Sequence, residues 1–459
     1  MSEIDPTTSA SAGNPGTPAA PVSTVPAPTE AASNFSLDTR KNSLSESVHN
    51  YVSKLRSGDL GAWPALFAIV VLTVLFGVTR PSTFLSVTNF ANLLQQAAPV
   101  VVIAMAVSFV LLLGEIDLSA GYTAGVTAAV LAVRLQKGWG LGPTIIICTI
   151  VALALGSFTG YMVAKIGIPS FIVTLANFLS FQGILLLLAK DGGTIHIENS
   201  KITAIENGNM AIGVGWIVSI AGVGLFGLSV VRRQRQSGGS IPLSMALVKI
   251  GLVAAGVAAF TALLSTNRAL PAAKENGIVL EGVPYAVPLV AILVVVLTFS
   301  LTRTRYGRHL YAVGGNPEAA RRAGINVFRI KASAFAYCGL LAGIGGAFLA
   351  SRLTSVDPQT GGNDTLLLAV GAAVIGGTSL FGGKGRMLNA VLGGLVLALI
   401  PNGLGLLGTV HFRLHLLGTG TTLRSTIEFS SSGVKFIVSG LVLLLAASVD
   451  AISRKRTIS

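Results

Sequence analysis

Twelve runs of mostly apolar residues succeed one another along the chain, at approximately 62–79, 93–113, 118–135, 143–163, 168–189, 211–231, 244–264, 283–302, 332–350, 365–381, 387–408 and 433–450. Within each run the apolar positions are continuous rather than alternating, which argues against half-exposed strands and predicts helices that are apolar on every face. About 20 such residues cross roughly 30 Å of hydrocarbon at a rise of about 1.5 Å per residue. The pattern predicts an all-α, polytopic membrane protein with about 12 membrane segments, within a range of 10–12. Two runs differ from the rest: 118–135 opens beside Asp117, and 365–381 is short and glycine-rich. One or both are expected to be broken or re-entrant, because irregular backbone survives at membrane depth only where protein or water shields it.

The first sixty residues follow another pattern. Residues 5–33 are mostly Ala, Pro, Ser, Thr and Gly, too poor in core-forming side chains to repay the entropy of ordering. Residues 1–60 are therefore expected to be a disordered cytoplasmic tail. Glu3 and Asp5 replace the basic start of a signal peptide, and no apolar stretch follows them. Val48, Tyr51, Val52 and Leu55 suggest a short surface helix over 44–57. The membrane domain then occupies 61–450, with a large polar loop at 303–331, and a basic cytoplasmic tail closes the chain at 451–459.

Composition sharpens this picture. Of 459 residues, 52% are hydrophobic and 11% charged, with a mean hydropathy of +0.74; an ordinary soluble domain has about 25% charged residues. A water-soluble enzyme is excluded. The net charge of +14 would suit nucleic acid if it formed one face, but the cations lie in the connections between apolar runs, where anionic lipid headgroups account for them. With twelve crossings both ends share a side, and 21 of the 32 Lys and Arg residues fall there. Arg232, Arg233 and Arg235, the cations from Arg303 to Lys331, and Arg454, Lys455 and Arg456 all agree, which places both termini in the cytoplasm. Cys148 and Cys338 lie inside apolar runs and predict no structural disulfide. Many of the 54 glycines recur four apart, as at Gly121 and Gly125, Gly156 and Gly160, and Gly339 and Gly343, a spacing that lets helices approach closely.

The chemistry that is missing is informative. A phosphate-binding loop would need a glycine where Thr378 stands and a hydroxyl where Gly385 follows Gly383-Lys384, so no ATPase site is expected. Ion-coupled carriers place ionisable groups deep in their helices. Here nearly every acid lies in a tail or loop, with Glu115 and Asp117 nearest the membrane. His411 and His415 stand four apart without a partner acid, and neither a metal nor a cofactor is expected. The chain thus offers a path without an engine, not an enzyme, and energy is expected from a partner.

The 303–331 loop holds the clearest docking signal. Gly314-Gly315 predicts a turn, Asn316 a helix cap, Pro317 the first helical position, and Glu318 an acid suited to the dipole. Ala319, Ala320, Ala323 and Gly324 are small, Glu318 can pair with Arg322, and Gly324 ends the helix. Two turns are too short to persist alone, so this face is expected to seat in another surface. Glu318-Ala319-Ala320 followed by Gly324 resembles the Glu-Ala-Ala-x-x-x-Gly element of ATP-binding-cassette importer permeases. Gly114-Glu115-Ile116-Asp117-Leu118-Ser119-Ala120-Gly121, the stretch from Tyr306 to Ile325, and Gly376 to Gly385 continuing to Asn402-Gly403 are similar to the ribose and xylose branch.

That resemblance spans roughly 62–450 and is strongest to the xylose subgroup, which is longer in the middle; 191–282 is the least matched part. It implies the membrane-spanning permease subunit of an ATP-driven importer of a pentose, xylose foremost, in the bacterial cytoplasmic membrane. The implied partners are an ABC ATPase subunit, an extracytoplasmic sugar-binding protein and a second permease copy. It also implies that Asn316, Glu318, Ala319, Ala320, Ala323 and Gly324 form the ATPase-coupling element. Ribose, another monosaccharide, a sugar-like signal, or a stand-alone secondary carrier are the alternatives.

A neutral sugar needs hydrogen-bonding groups along its path. Asn92, Gln95, Gln96, Asn177, Gln182, Asn389 and Asn402 are the polar candidates in or beside the apolar runs, against the plainer use of interhelical hydrogen bonding. Asp117 is expected to cap the third run rather than touch substrate.

Overall fold

The computed structural model describes residues 61–190, 192–236, 243–269, 274–415 and 422–458. The tail through residue 60, with the surface helix expected at 44–57, lies outside the described residues. Each apolar run holds a helix. In order these are α1 Trp63–Thr79, α2 Val87–Leu111, α3 Ala120–Gln136, α4 Leu141–Tyr161, α5 Ser170–Leu188, the short connecting helix α6 Ser200–Asn207, α7 Ile212–Gln236, α8 Leu243–Leu264 and α9 Ala286–Arg303. Two polar helices follow, α10 Arg305–Gly315 and α11 Pro317–Arg322, then α12 Val327–Leu353, α13 Asn363–Ile375, α14 Met387–Leu407 and α15 Ser432–Ile458. Among the described residues, sheet is confined to β1 Ile195–His196 with β2 Ser355–Val356, and to the antiparallel pair of β3 Thr409–His415 with β4 Thr422–Glu428. Eight of the described helices are long and apolar enough to cross a membrane.

Local chemistry moves the boundaries that hydropathy suggests. Ser86 Oγ accepts the Asn89 N–H at 3.2 Å, so α2 starts six residues before its apolar run. Asn326 Oδ1 accepts the Arg329 N–H at 3.0 Å and starts α12 five residues early. The Gly314-Gly315 pair is not the turn its sequence suggests: α10 runs through it, and Gly314 is small for packing. A Cβ there would lie 1.8 Å from the Leu112 carbonyl oxygen.

α2 is the central post. Of its apolar window 78% is buried within the protein, against 11% for α7 and α8, whose exposed Leu, Ile and Phe side chains are suited to lipid. α12 packs along α2, α3 and α4. Where α4 crosses α12, a Cβ on Gly156 would fall 2.5 Å from the Phe335 carbonyl oxygen and one on Gly339 2.5 Å from that of Ala152. The backbones touch there because both positions lack side chains.

α13 is the broken element. Its 13 residues are too few to span alone, and the irregular stretch before it lies against α3, with Thr360 and Gly361 on Gly125 and Gly121. Protein thus wraps this backbone, as lipid could not. At the other end of α13 a glycine-rich turn, 376–385, reaches the α2–α3 connection, and Gly383 N–H donates to Leu112 O at 2.9 Å. Asp117, buried in that connection, accepts the Ser119 N–H at 2.9 Å and its hydroxyl at 2.6 Å immediately before α3 begins. It organises the start of the helix.

Candidate functional site

The short helix α11, the candidate docking element, is built from its cap upward. Asn316 Oδ1 accepts the N–H groups of Glu318 at 3.0 Å and Ala319 at 2.9 Å, with Pro317 at the first helical position. Glu318 pairs with Arg321 at 3.1 Å and Arg322 at 3.6 Å on the exposed side; such exposed pairs contribute only about 0.2–1 kcal/mol each. The far end closes by two backbone bonds, Gly324 N–H to Arg321 O and Ile325 N–H to Ala320 O, each 3.0 Å. This crossed pair needs a left-handed residue between helix and exit, and Gly324 sits at φ +81. The small residues divide. Ala319, Ala323 and Gly324 are exposed, whereas Ala320 turns inward and packs in the core with Ile325 against its edge.

The seven polar path candidates separate into groups. Asn92, Gln95 and Gln96 share one face of α2, exposed at Asn92 and half-buried at the two glutamines. Asn177 is taken up between helices, its Nδ2 donating to Thr159 Oγ1 at 2.8 Å. Asn402 forms a reciprocal amide pair with Asn89 at 2.9 and 3.1 Å, tying α14 to α2. Gln182 is half-buried on α5, and Asn389 is buried in the first turn of α14, about 20 Å along that helix from Asn402 at about 1.5 Å per residue. Asn92, Gln95 and Gln96 share a helix face, and Asn402 reaches that helix one turn earlier through Asn89.

Around Gln95 the structure adds residues that the sequence did not single out. Gln95 Nε2 donates to the Glu206 carbonyl, Glu206 N–H donates to Ser351 Oγ at 2.9 Å, and Asn207 Nδ2 donates to Ser351 O at 2.6 Å. Glu206, at 1% exposure, leaves both carboxylate oxygens without a hydrogen-bond partner. Burial pushes its carboxyl up to about 8, with the charge of Arg352 opposing. Ile202 and Glu206, four apart on α6, are both buried; an acid on the apolar stripe of a short helix was the signal available. A second overlooked contact is an ion pair of Lys331 with Glu115, which joins α12 to the α2–α3 connection.

The family described as branched-chain amino acid transport system / permease component matches residues 89–447. The chain belongs to that permease family. It is a multi-pass membrane protein of the cell membrane. It is 35% identical over 410 residues to the xylose transport system permease protein XylH of Escherichia coli K12, covering 88% of this chain and 95% of that one. The XylH of Haemophilus influenzae is 33% identical over 416 residues, 88% of this chain and 99% of that one. The ribose import permease protein RbsC of Escherichia coli K12 is 30% identical over 390 residues, 84% and 92% of the two chains. No solved structure matches the permease.

Proposed function

We propose that this chain is the membrane-spanning permease subunit of an ATP-driven sugar importer, carrying a pentose, foremost xylose. The observation that carries the reading is the capped, glycine-terminated helix α11 with Ala319, Ala323 and Gly324 uncovered, in a chain 35% identical to a xylose permease. The partners are a separate ATP-hydrolysing subunit seated on α11, an extracytoplasmic sugar-binding protein and a second copy of this chain. The sugar path runs past Asn92, Gln95 and Gln96, whose amides supply donors and acceptors to hydroxyls.

Gly324→Asp tests the seat. An aspartate there must hold a left-handed backbone, at a cost of about 1–2 kcal/mol, and places bulk and negative charge at the negative end of the helix. A Cβ at Gly324 meets open space within the chain, so the membrane helices should be undisturbed. The variant should reach the membrane at normal abundance, retain less than a tenth of the ATP-hydrolysing subunit on co-purification, and lose xylose uptake in parallel. Arg321→Glu, on the exposed side, should retain most of both. Normal ATPase retention by Gly324→Asp would refute α11 as the seat.

A further inference from the structure

A helix seated on an ATPase moves sugar only if its displacement reaches the path, and the structure ties the segment leaving α11 to the connection at one end of α2. Immediately after α11, the chain turns through Gly324, Ile325 and the capping Asn326 into α12. Lys331, in the second turn of α12, reaches across to Glu115 in the α2–α3 connection, 216 residues away in sequence. Among the described residues, the other two ion pairs lie within α11 and are exposed. Glu115–Lys331 is different. It joins distant parts of the chain, and the two side chains are only 17% and 22% exposed, so water screens it less than a surface pair.

The pair borders a cavity of about 650 Å³ that also touches Arg321, Phe328, Gly167 and Ser170. Its wall is the end of α4, where a π-helical turn, Met162–Ile166, precedes left-handed Gly167. The connection that Glu115 belongs to is clamped elsewhere too. Ile116 N–H donates to Ser170 Oγ at 3.4 Å and Thr174 Oγ1 donates to Ile116 O at 3.2 Å, both on α5. Leu112 accepts the Gly383 N–H. This connection therefore gathers α5, the 376–385 turn and α12 at the junction of α2, which carries Asn92, Gln95 and Gln96, with α3. Glu115 is its charged attachment to the segment leaving the docking helix.

We propose that the Glu115–Lys331 ion pair is a coupling strut: it transmits movement of the α11–α12 segment to the α2–α3 connection, and so joins ATP hydrolysis to opening of the sugar path. The strut rests on the reading of α11 as the ATPase seat. Both residues are positioning residues, touching neither nucleotide nor sugar. Cutting the strut leaves α11 and its cap intact, so the ATPase stays bound and hydrolyses ATP while sugar movement lags. Merely loosening the fold would instead lower both together.

The experiment uses the complete transporter in proteoliposomes: this chain, its ATP-hydrolysing subunit and its sugar-binding protein, with labelled xylose. ATPase retention, ATP hydrolysis and xylose uptake are read for wild type, Glu115→Gln, Lys331→Met and the exchanged pair Glu115→Lys/Lys331→Glu. Each single variant should retain the ATPase within twofold of wild type and raise the ATP hydrolysed per xylose at least fivefold. The exchanged pair should return that ratio to within twofold of wild type. The strut is overturned if the single variants keep the wild-type ratio, if uptake and hydrolysis fall together, or if the exchange stays as uncoupled as the single variants. A wild-type chain that retains no ATPase would instead overturn the reading of α11, and the strut with it.

Discussion

Glu206 shows how one residue can set a condition on the fold. Its carboxyl ionises near 4.5 in an ordinary environment and near 8 in the folded protein, where burial disfavours the charge. Between those values the folded state holds a proton that the unfolded state has released, so stability falls as pH rises through the window and levels off above it. Glutamine mimics the protonated acid. Glu206→Gln should match wild type below the window and unfold at a progressively higher temperature than wild type as pH climbs to about 8. Parallel melting curves across that range would show that Glu206 is ionised and partnered in the folded protein. Glu206 stands four residues after Ile202 on the apolar stripe of a short helix, but the polar run Glu198, Asn199, Ser200 and Lys201 just before it masks that spacing. Its neighbours Ser351 and Arg352 are brought to it by α12, contacts that no local pattern encodes.

At the scale of elements, glycine spacing was the more readable signal. Gly156 and Gly339 meet where α4 crosses α12, and a Cβ on either meets backbone at 2.5 Å. Gly156→Ala should therefore separate the helices and cost about 1–3 kcal/mol, as overpacking does. Gly183→Ala, in α5 with nothing within 4 Å of the added Cβ, should leave stability unchanged or raise it by up to about 1 kcal/mol. Detergent-solubilised unfolding of the two variants measures the contrast, and equal losses would contradict the crossing. The cap, proline, small residues and terminal glycine of α11 were all legible, because capping is local chemistry written within about eight positions. The inward turn of Ala320 and the helical course of Gly314-Gly315 were not, since each is decided by a distant partner: the core for Ala320, and Leu112 and Gly383 for Gly314. The polar candidates divide in the same way. A lone amide in an apolar run reads alike whether it faces a sugar or, as Asn402 does, another amide.

For the whole molecule, twelve apolar runs foretold an all-helical membrane protein, while charge distribution adds an orientation that helices alone do not carry. With 21 of 32 cations on the side of the termini, a reporter fused after Ser459 should be cytoplasmic and one inserted near Asn207 external. A cytoplasmic signal near Asn207 would break the twelve-crossing arrangement. With the reporters so placed, α11, the Glu115–Lys331 pair and the 376–385 turn would lie on the cytoplasmic side, and Glu206 with the β1–β2 pairing on the opposite side. This arrangement accords with the proposed role, in which the chain conducts and a partner supplies the energy. The most direct measurement is uptake of labelled xylose into proteoliposomes, comparing the chain alone with the chain joined by its ATP-hydrolysing subunit and sugar-binding protein. Accumulation against a gradient is expected only with all three proteins and ATP; accumulation by the chain alone under a proton or sodium gradient, or none by the full assembly with ATP, would rule out a partner-driven importer.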